Sequence, residues 1–250
     1  MTNLSIAAAQ IIPAKGDVDK NLEAHRRLAL IAAEHGTNLV VFPELSITGY
    51  ELNLASELAF TIYDERLKPL MLLAEELGII VVAGAPFRLD EILYIGAFII
   101  SPDNSISIYA KHHVHSTEEN VFQPGMFNPK ITLEKDKASL AVCADLTHPI
   151  HAEKASQSGS TLYLASVFVT PEGYKKDALF LKNHARRHKM TVLMSNYGGD
   201  SGGLPSAGKS AIWDSEGNKI SSLAGTGEGL VIAKKENGRW EGHSILLDQN

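Results

Sequence analysis

Cys143 is the only cysteine in the sequence, and it closes the apolar run Ser139-Leu140-Ala141-Val142-Cys143. Such a run reads as a buried strand that delivers one thiol to the loop after it. Two further runs end the same way: Asn38-Leu39-Val40-Val41-Phe42-Pro43 leads to Glu44, and Ser105-Ile106-Ser107-Ile108-Tyr109-Ala110 leads to Lys111. A thiol, a carboxylate and an ammonium at three strand ends supply a nucleophile, a base and a stabilising charge. Each residue alone has a blander reading. Free cysteine is among the most buried residue types, and a Glu or Lys at a strand end is usually a solvated charge. Context favours chemistry, because Cys143 is followed by Ala144-Asp145-Leu146-Thr147-His148-Pro149, a polar loop entering a helix. A thiol there can be exposed, and the backbone N–H groups of the turn can bind an oxyanion. Glu44 is then the base for the thiol proton, and Lys111 the charge that stabilises thiolate and tetrahedral intermediate.

The elements that must position these groups alternate. Apolar or β-branched runs predict strands over 4–11, 38–42, 79–85, 93–100, 106–110, 130–133, 138–143, 161–166 and 191–195. Helical spacing predicts helices over 17–35, over 52–77 with a break near Tyr63-Asp64, over 149–157 and over 172–188. The end is strand-rich, with strands over 209–213, 219–222 and 228–234. Alternation in both halves, each half finishing in consecutive strands, predicts an α/β fold of mixed sheets with helices on their outer faces. No Pro/Gly/Ser linker interrupts the chain, so a single domain over 1–250 is expected.

Composition excludes several classes. With 44% hydrophobic and 21% charged residues over 250 positions, a sizeable core is affordable and disorder is not expected. The balance of 23 basic against 29 acidic residues, with no basic cluster, argues against nucleic-acid and anionic membrane partners. One cysteine forms no internal disulfide, the N-terminus lacks a basic-then-apolar leader, and no run reaches the ~20 apolar residues of a membrane span. A cytoplasmic location is the default. His112, His113, His115, His148 and His151 lie near the proposed site, but no His-Glu-x-x-His motif is present and no metal is expected. The loop Gly198-Gly199-Asp200-Ser201-Gly202-Gly203 lacks a phosphate-binding Gly-Lys-Ser/Thr and reads as a flexible rim near Asn196.

In this order of segments the sequence resembles the nitrilase superfamily of carbon–nitrogen hydrolases. Phe42-Pro43-Glu44 with Thr48-Gly49-Tyr50 is similar to the segment carrying the family's general base, and Tyr109-Ala110-Lys111-His112-His113 resembles its Tyr-Arg-Lys-x-His segment. Val142-Cys143-Ala144-Asp145-Leu146 resembles the nucleophile segment. Phe122-Gln123-Pro124-Gly125, Ser195-Asn196 with Gly198, and Gly208-Lys209-Ser210-Ala211-Ile212 with Gly217 extend the likeness over nearly the whole chain.

The resemblance implies a four-layer α-β-β-α sandwich with two mixed β-sheets, no cofactor, and pairing into a homodimer or higher oligomer through helices on an outer face. It also implies a second glutamate before the Pro-Gly pair; spacing favours Glu119, with Glu118 as the alternative. His113 matches the family's histidine after the lysine and is expected to hydrogen-bond structurally. Catalytic candidates are therefore Glu44, Lys111, Cys143 and Glu119, and candidate substrate contacts are Ala144, Asn196, Tyr50 and His148. Two departures bear on substrate. Ala144-Asp145 stands where nitrilases tend to have Trp-Glu after the cysteine, and Thr147 where many amidases have Arg. The expected reaction is hydrolysis of a small linear amide through a cysteine thioester; nitrile hydrolysis, acyl transfer to another acceptor and a non-enzymatic scaffold are the alternatives.

Overall fold

The computed structural model describes residues 4–247. Residues 1–3, part of the segment read as lacking a leader, and 248–250, the end of the expected 1–250 domain, lie outside the described residues. The first half runs β1 (Leu4–Gln10), α1 (Val18–Glu34), β2 (Leu39–Val41), α2 (Lys68–Leu77), β3 (Ile80–Leu89), β4 (Ile92–Ile100) and β5 (Ile106–Ala110). The second runs β6 (Ile131–Leu133), β7 (Asp136–Val142), α3 (Pro149–Gln157), β8 (Leu162–Ser166), α4 (Tyr174–His188) and β9 (Thr191–Ser195). It ends with β10 (Ala211–Trp213), β11 (Lys219–Ser222), β12 (Gly229–Glu236) and β13 (Arg239–Leu246).

These strands form a seven-stranded sheet in the order β13-β12-β1-β2-β3-β4-β5 and a six-stranded sheet in the order β11-β10-β9-β8-β7-β6. Both are mixed: β1-β2-β3 and β7-β8-β9 are parallel trios flanked by antiparallel strands. Side-chain alternation sorts the core into three slabs. Ile6, Val41, Ile99 and Val82 of the larger sheet meet Leu140, Leu164, Leu193 and Ile212 of the smaller one. On the other face of the larger sheet, Ala7, Val40, Val81 and Phe98 pack on Leu28, Ala32, Leu70 and Leu73 of α1 and α2. The outer face of the smaller sheet, with Ala141, Tyr163, Val192 and Trp213, is covered by Ala152, Leu181 and Ala185 of α3 and α4. This is the four-layer α-β-β-α sandwich, with period-2 strands feeding two slabs at once.

Two local readings are corrected. Residues 52–77 are not one broken helix: Leu52–Leu54 and Glu65–Leu67 are single 3-10 turns, and only Lys68–Leu77 is α-helical. Phe60 is drawn alongside β3, its N–H donating to Pro86 O at 2.8 Å and its carbonyl accepting from Arg88 N at 2.8 Å. Its buried ring then lies 3.8 Å beneath the Arg66 guanidinium, which also binds Asp64 and Ala59 O. Strand β13 lies beyond the strands the sequence predicts, because its residues are largely exposed and carry little apolar alternation. Asn237 and Gly238, at φ 51° and 81°, make the tight turn into it; Asn-Gly is the strongest short hairpin signal and was available.

One buried tether ties α1 to the turn after β2. His25 Nδ1 lies 2.6 Å from Asn21 O and must donate to it, which leaves Nε2 to accept from Ser46 Oγ at 2.9 Å. Burial lowers the His25 pKa from 6.5 to about 4, against the opposing hydrogen bond to Asn21. A depressed folded-state value means stability fully present above pH 6.5 and lost as pH falls toward 4, worth about 3 kcal/mol. The urea-unfolding gap between wild type and His25→Gln is therefore expected to narrow by about 2–3 kcal/mol from pH 7 to pH 4.5. A gap independent of pH would refute this linkage.

Candidate active site

Strands β2, β5 and β7 each end beside one functional side chain. After β2, Phe42-Pro43 stops the ladder and Glu44 enters a turn in which Leu45 has φ 52°. Gly84 on β3 makes that turn possible: a Cβ there would stand 2.4 Å from Leu45 N and 2.8 Å from Pro43 O. Tyr197 OH fixes the same turn by donating to Glu44 O at 2.5 Å. Lys111 follows β5, its N–H donating to Ile95 O at 2.9 Å and its carbonyl accepting from Gly125 N at 2.7 Å. A Cβ on Gly125 would meet Ala110 Cβ at 2.3 Å, so the Pro-Gly pair is seated on the residue before the lysine. Cys143 begins a 3-10 turn after β7 with φ 42°, a conformation uncommon for a non-glycine residue and a means of lifting a side chain off a strand end.

The three expected elements converge, together with a fourth. Lys111 Nζ lies 2.7 Å from Glu44 Oε1 and 2.7 and 3.0 Å from the two Glu118 oxygens. All three side chains are buried. Tyr50 OH donates to Glu118 Oε1 at 2.5 Å, and His115 N–H to Glu118 Oε2 at 2.8 Å. The preference for Glu119 is thus corrected: Glu118 reaches the cluster, and Glu119 is exposed. The turn that closes with Glu118 N on His115 O points residue 118 inward, which counting back from the Pro-Gly pair does not reveal.

Electrostatics follow from burial. Desolvation pushes the Glu44 carboxyl up to about 7, with Lys111 pulling it down and Glu118 pushing it further up. Its Oε2 is buried without a hydrogen-bond partner among the described residues, and the Cys143 side chain is among the groups acting on the carboxylate. Burial likewise raises the Cys143 thiol, reinforced by Glu44 and opposed by Lys111. For Lys111 burial alone would lower the pKa, but the surrounding acids outweigh it and the ammonium is held charged. The resting arrangement is a neutral thiol beside a carboxylate able to take its proton near neutral pH, with a fixed positive charge between two acids.

Cys143 opens onto a cavity of about 450 Å³ walled by Tyr50, Glu118, Ala144, Phe168 and Val169, among others. A second cavity, about 460 Å³ against α2, is lined by other residues, among them Tyr63, Asp64, Glu65 and Lys68, and lies away from Cys143. Of the expected substrate contacts, Tyr50 and Ala144 line the Cys143 cavity. Asn196 does not offer its amide to a ligand. It is buried, accepting from Val169 N at 2.8 Å and donating to Val169 O and Gly208 O at 3.2 and 2.8 Å. It frames the loop whose Phe168 carbonyl receives the Cys143 thiol at 3.7 Å. His148 is also outside the cavity lining: it is exposed and stacks on His113 at 3.7 Å between ring centroids. The Gly-rich loop contributes indirectly, since Ser201 Oγ accepts from Tyr50 N at 2.9 Å.

Asp145 was missed as a site residue, although it stands in the nucleophile motif. It is buried and accepts from Val142 N at 3.0 Å, Tyr109 OH at 2.6 Å and His113 N at 2.9 Å, with the His113 ring at 2.8 Å. One carboxylate therefore joins the strand before Cys143 to the segment around Lys111, and His113 serves it structurally.

Comparison with known proteins agrees with this geometry. A family model described as carbon-nitrogen hydrolase matches residues 5–241. The chain is 27% identical over 238 residues to a nitrilase of Pyrococcus abyssi, covering 92% of this chain and 89% of that protein. A mutant of the amidase from Nesterenkonia sp. AN1 in complex with butyramide superposes with a TM-score of 0.85 at 24% identity, covering 94% of this chain and 92% of that one. Another mutant of the same amidase, carrying acrylamide added at its active-site cysteine, gives 0.83 at 25% identity with 92% of each chain covered. With the match running through all three strand ends, the chain belongs to the carbon–nitrogen hydrolase family of the nitrilase superfamily.

Proposed function

We propose that this hydrolase cleaves the C–N bond of small linear amides through a Cys143 thioester. The observation that carries the reading is the buried Glu44–Lys111–Glu118 cluster set against the one thiol of the chain, at a cavity sized for a small molecule. Glu44 takes the thiol proton as the sulfur attacks the amide carbon, and the C–S bond forms while the carbonyl π pair moves onto oxygen. Lys111 and the Ala144 N–H stabilise that oxyanion; donors of this kind contribute about 10²–10³-fold each. The intermediate collapses with cleavage of C–N, Glu44 returning its proton to the departing nitrogen. Ammonia or amine leaves, and a thioester remains. Water then attacks the thioester carbon, giving up its proton to Glu44, which passes it to the leaving sulfur; the carboxylic acid departs and the thiol is regenerated. Glu118, fixed by Lys111, Tyr50 and the His115 N–H, orients the ammonium and the substrate nitrogen.

Amide over nitrile is supported by Ala144-Asp145 after the cysteine and by the amides held in the Nesterenkonia structures. The proposal takes residues 1–250 as one catalytic unit that works in the cytoplasm. It also includes pairing of two copies through α3 and α4, where Ile150 and Leu179 stand exposed. The test is ammonia release from matched amides and nitriles across pH. Turnover is expected from amides at least 100-fold above the corresponding nitriles, with kcat/KM rising as pH passes through about 7, where Glu44 ionises. Nitriles turned over as fast as amides would sink the substrate assignment.

A further inference from the structure

The first turn of α4 brings two adjacent charges, Lys176 and Asp177, to the wall of the Cys143 cavity. Their surroundings differ. Lys176 is exposed, and its ammonium lies 5.9 Å from the centroid of the Phe180 ring, one turn along the same helix. Asp177 is half-buried, and among the described residues no cationic side chain forms an ion pair with it. Its Oδ2 lies over Gly173, 3.5 Å from where a Cβ on that glycine would stand. Burial raises its pKa, with Lys176 acting the other way. A carboxylate partly withdrawn from water with no counter-ion is costly by itself, and a cation brought to it by a ligand relieves that cost.

The rest of the cavity is consistent with a ligand charged at one end only. Tyr50 and Phe168, with ring centroids 5.0 Å apart, and Val169 and Leu204 supply apolar wall. Among the described residues no guanidinium lines it. Thr147 presents a hydroxyl already donated to Ala144 O at 2.8 Å, so the wall lacks a forked donor for a carboxylate.

We propose that Asp177 is a specificity-determining residue that selects amides bearing a positive charge at the end remote from the scissile bond. The ligand class is the ω-amino amide, its ammonium at Asp177 and its carbonyl carbon at the Cys143 sulfur. This rests on the amide-hydrolase reading and narrows it.

Three amides of five carbons each test it: pentanamide, 5-aminopentanamide and the monoamide of glutarate, which are neutral, cationic and anionic at pH 7.5. The wild type is expected to show kcat/KM for the cationic amide at least 10-fold above the neutral one, mostly through KM, with the anionic amide poorest. In Asp177→Asn the cationic-to-neutral ratio falls to within about 2-fold of unity, and in Lys176→Met it rises. Added salt reduces the wild-type ratio and leaves that of Asp177→Asn unmoved. Equal turnover of neutral and cationic amides by wild type, or a preference that persists in Asp177→Asn, overturns the proposal alone. No ammonia from any of the three overturns the amide-hydrolase reading and the proposal with it.

Discussion

Cys143→Ala is expected to leave less than about one part in 10⁴ of wild-type amide turnover while the protein stays folded. The size of the effect comes from the division of labour in the site. In the proposed route Glu44, Lys111 and Glu118 position, protonate and stabilise, and the acyl group is carried by the sulfur alone. The thiol's hydrogen bond to Phe168 O is long, at 3.7 Å, the thiol also acts on the Glu44 carboxylate, and the residue is half-buried, so losing it costs little stability. Alanine adopts φ 42° no worse than cysteine does. Substrate binding should survive in this variant, since the walls of the cavity are intact. Cys143→Ser preserves the shape and supplies a hydroxyl of much higher pKa; it too should be nearly inactive, which separates loss of thiol reactivity from loss of packing. Mass spectrometry on wild type mixed with a reactive amide should find the acyl or alkyl adduct on Cys143. Turnover above about one per cent in the alanine variant would rule the thioester route out.

Lys111→Met should damage activity and stability together. Removing the ammonium leaves Glu44 and Glu118 buried and facing each other without their counter-ion, a change that typically costs about 3–5 kcal/mol. For a chain of this length that is roughly 10 °C in Tm. The loss should be largest above pH 7 and smaller at pH 5, because two crowded carboxylates can shed the repulsion by taking up a proton. Pairing the substitution with Glu118→Gln removes one of the two charges and should recover much of the Tm while leaving amide turnover at least 100-fold below wild type. Glu119→Gln is the control: its exposed side chain should matter to neither measurement. Should Lys111→Met melt at the wild-type temperature at pH 8, the three side chains do not form the buried ion cluster described above.

The amino-acid sequence alone determined which chemistry was possible and which elements carried it. Runs 39–41, 106–110 and 138–142 lie in strands because β-branched and apolar residues dominate them, and each leads to one reactive side chain. Alternation of such runs with helical spacing was enough for mixed sheets with helices on their outer faces, because each face must be covered by something apolar; the four-layer order was implied by the family resemblance. Local pattern failed where a long-range contact won. Residues 52–67 look helical by composition, yet Phe60 pairs with β3 and Arg66 folds over its ring.

Only the tertiary structure decided which of two adjacent glutamates enters the site. Glu118 and Glu119 are chemically identical and one position apart, and a single turn closed on His115 O sends one inward to Lys111 and the other to solvent. It likewise turned Asn196 from a supposed ligand contact into the peg of a loop, and it showed Asp145 bridging two distant segments. The reason is the same throughout. Which groups share a hydrogen bond depends on positions set by packing between the two sheets, and no sequence interval encodes a distance across that interface.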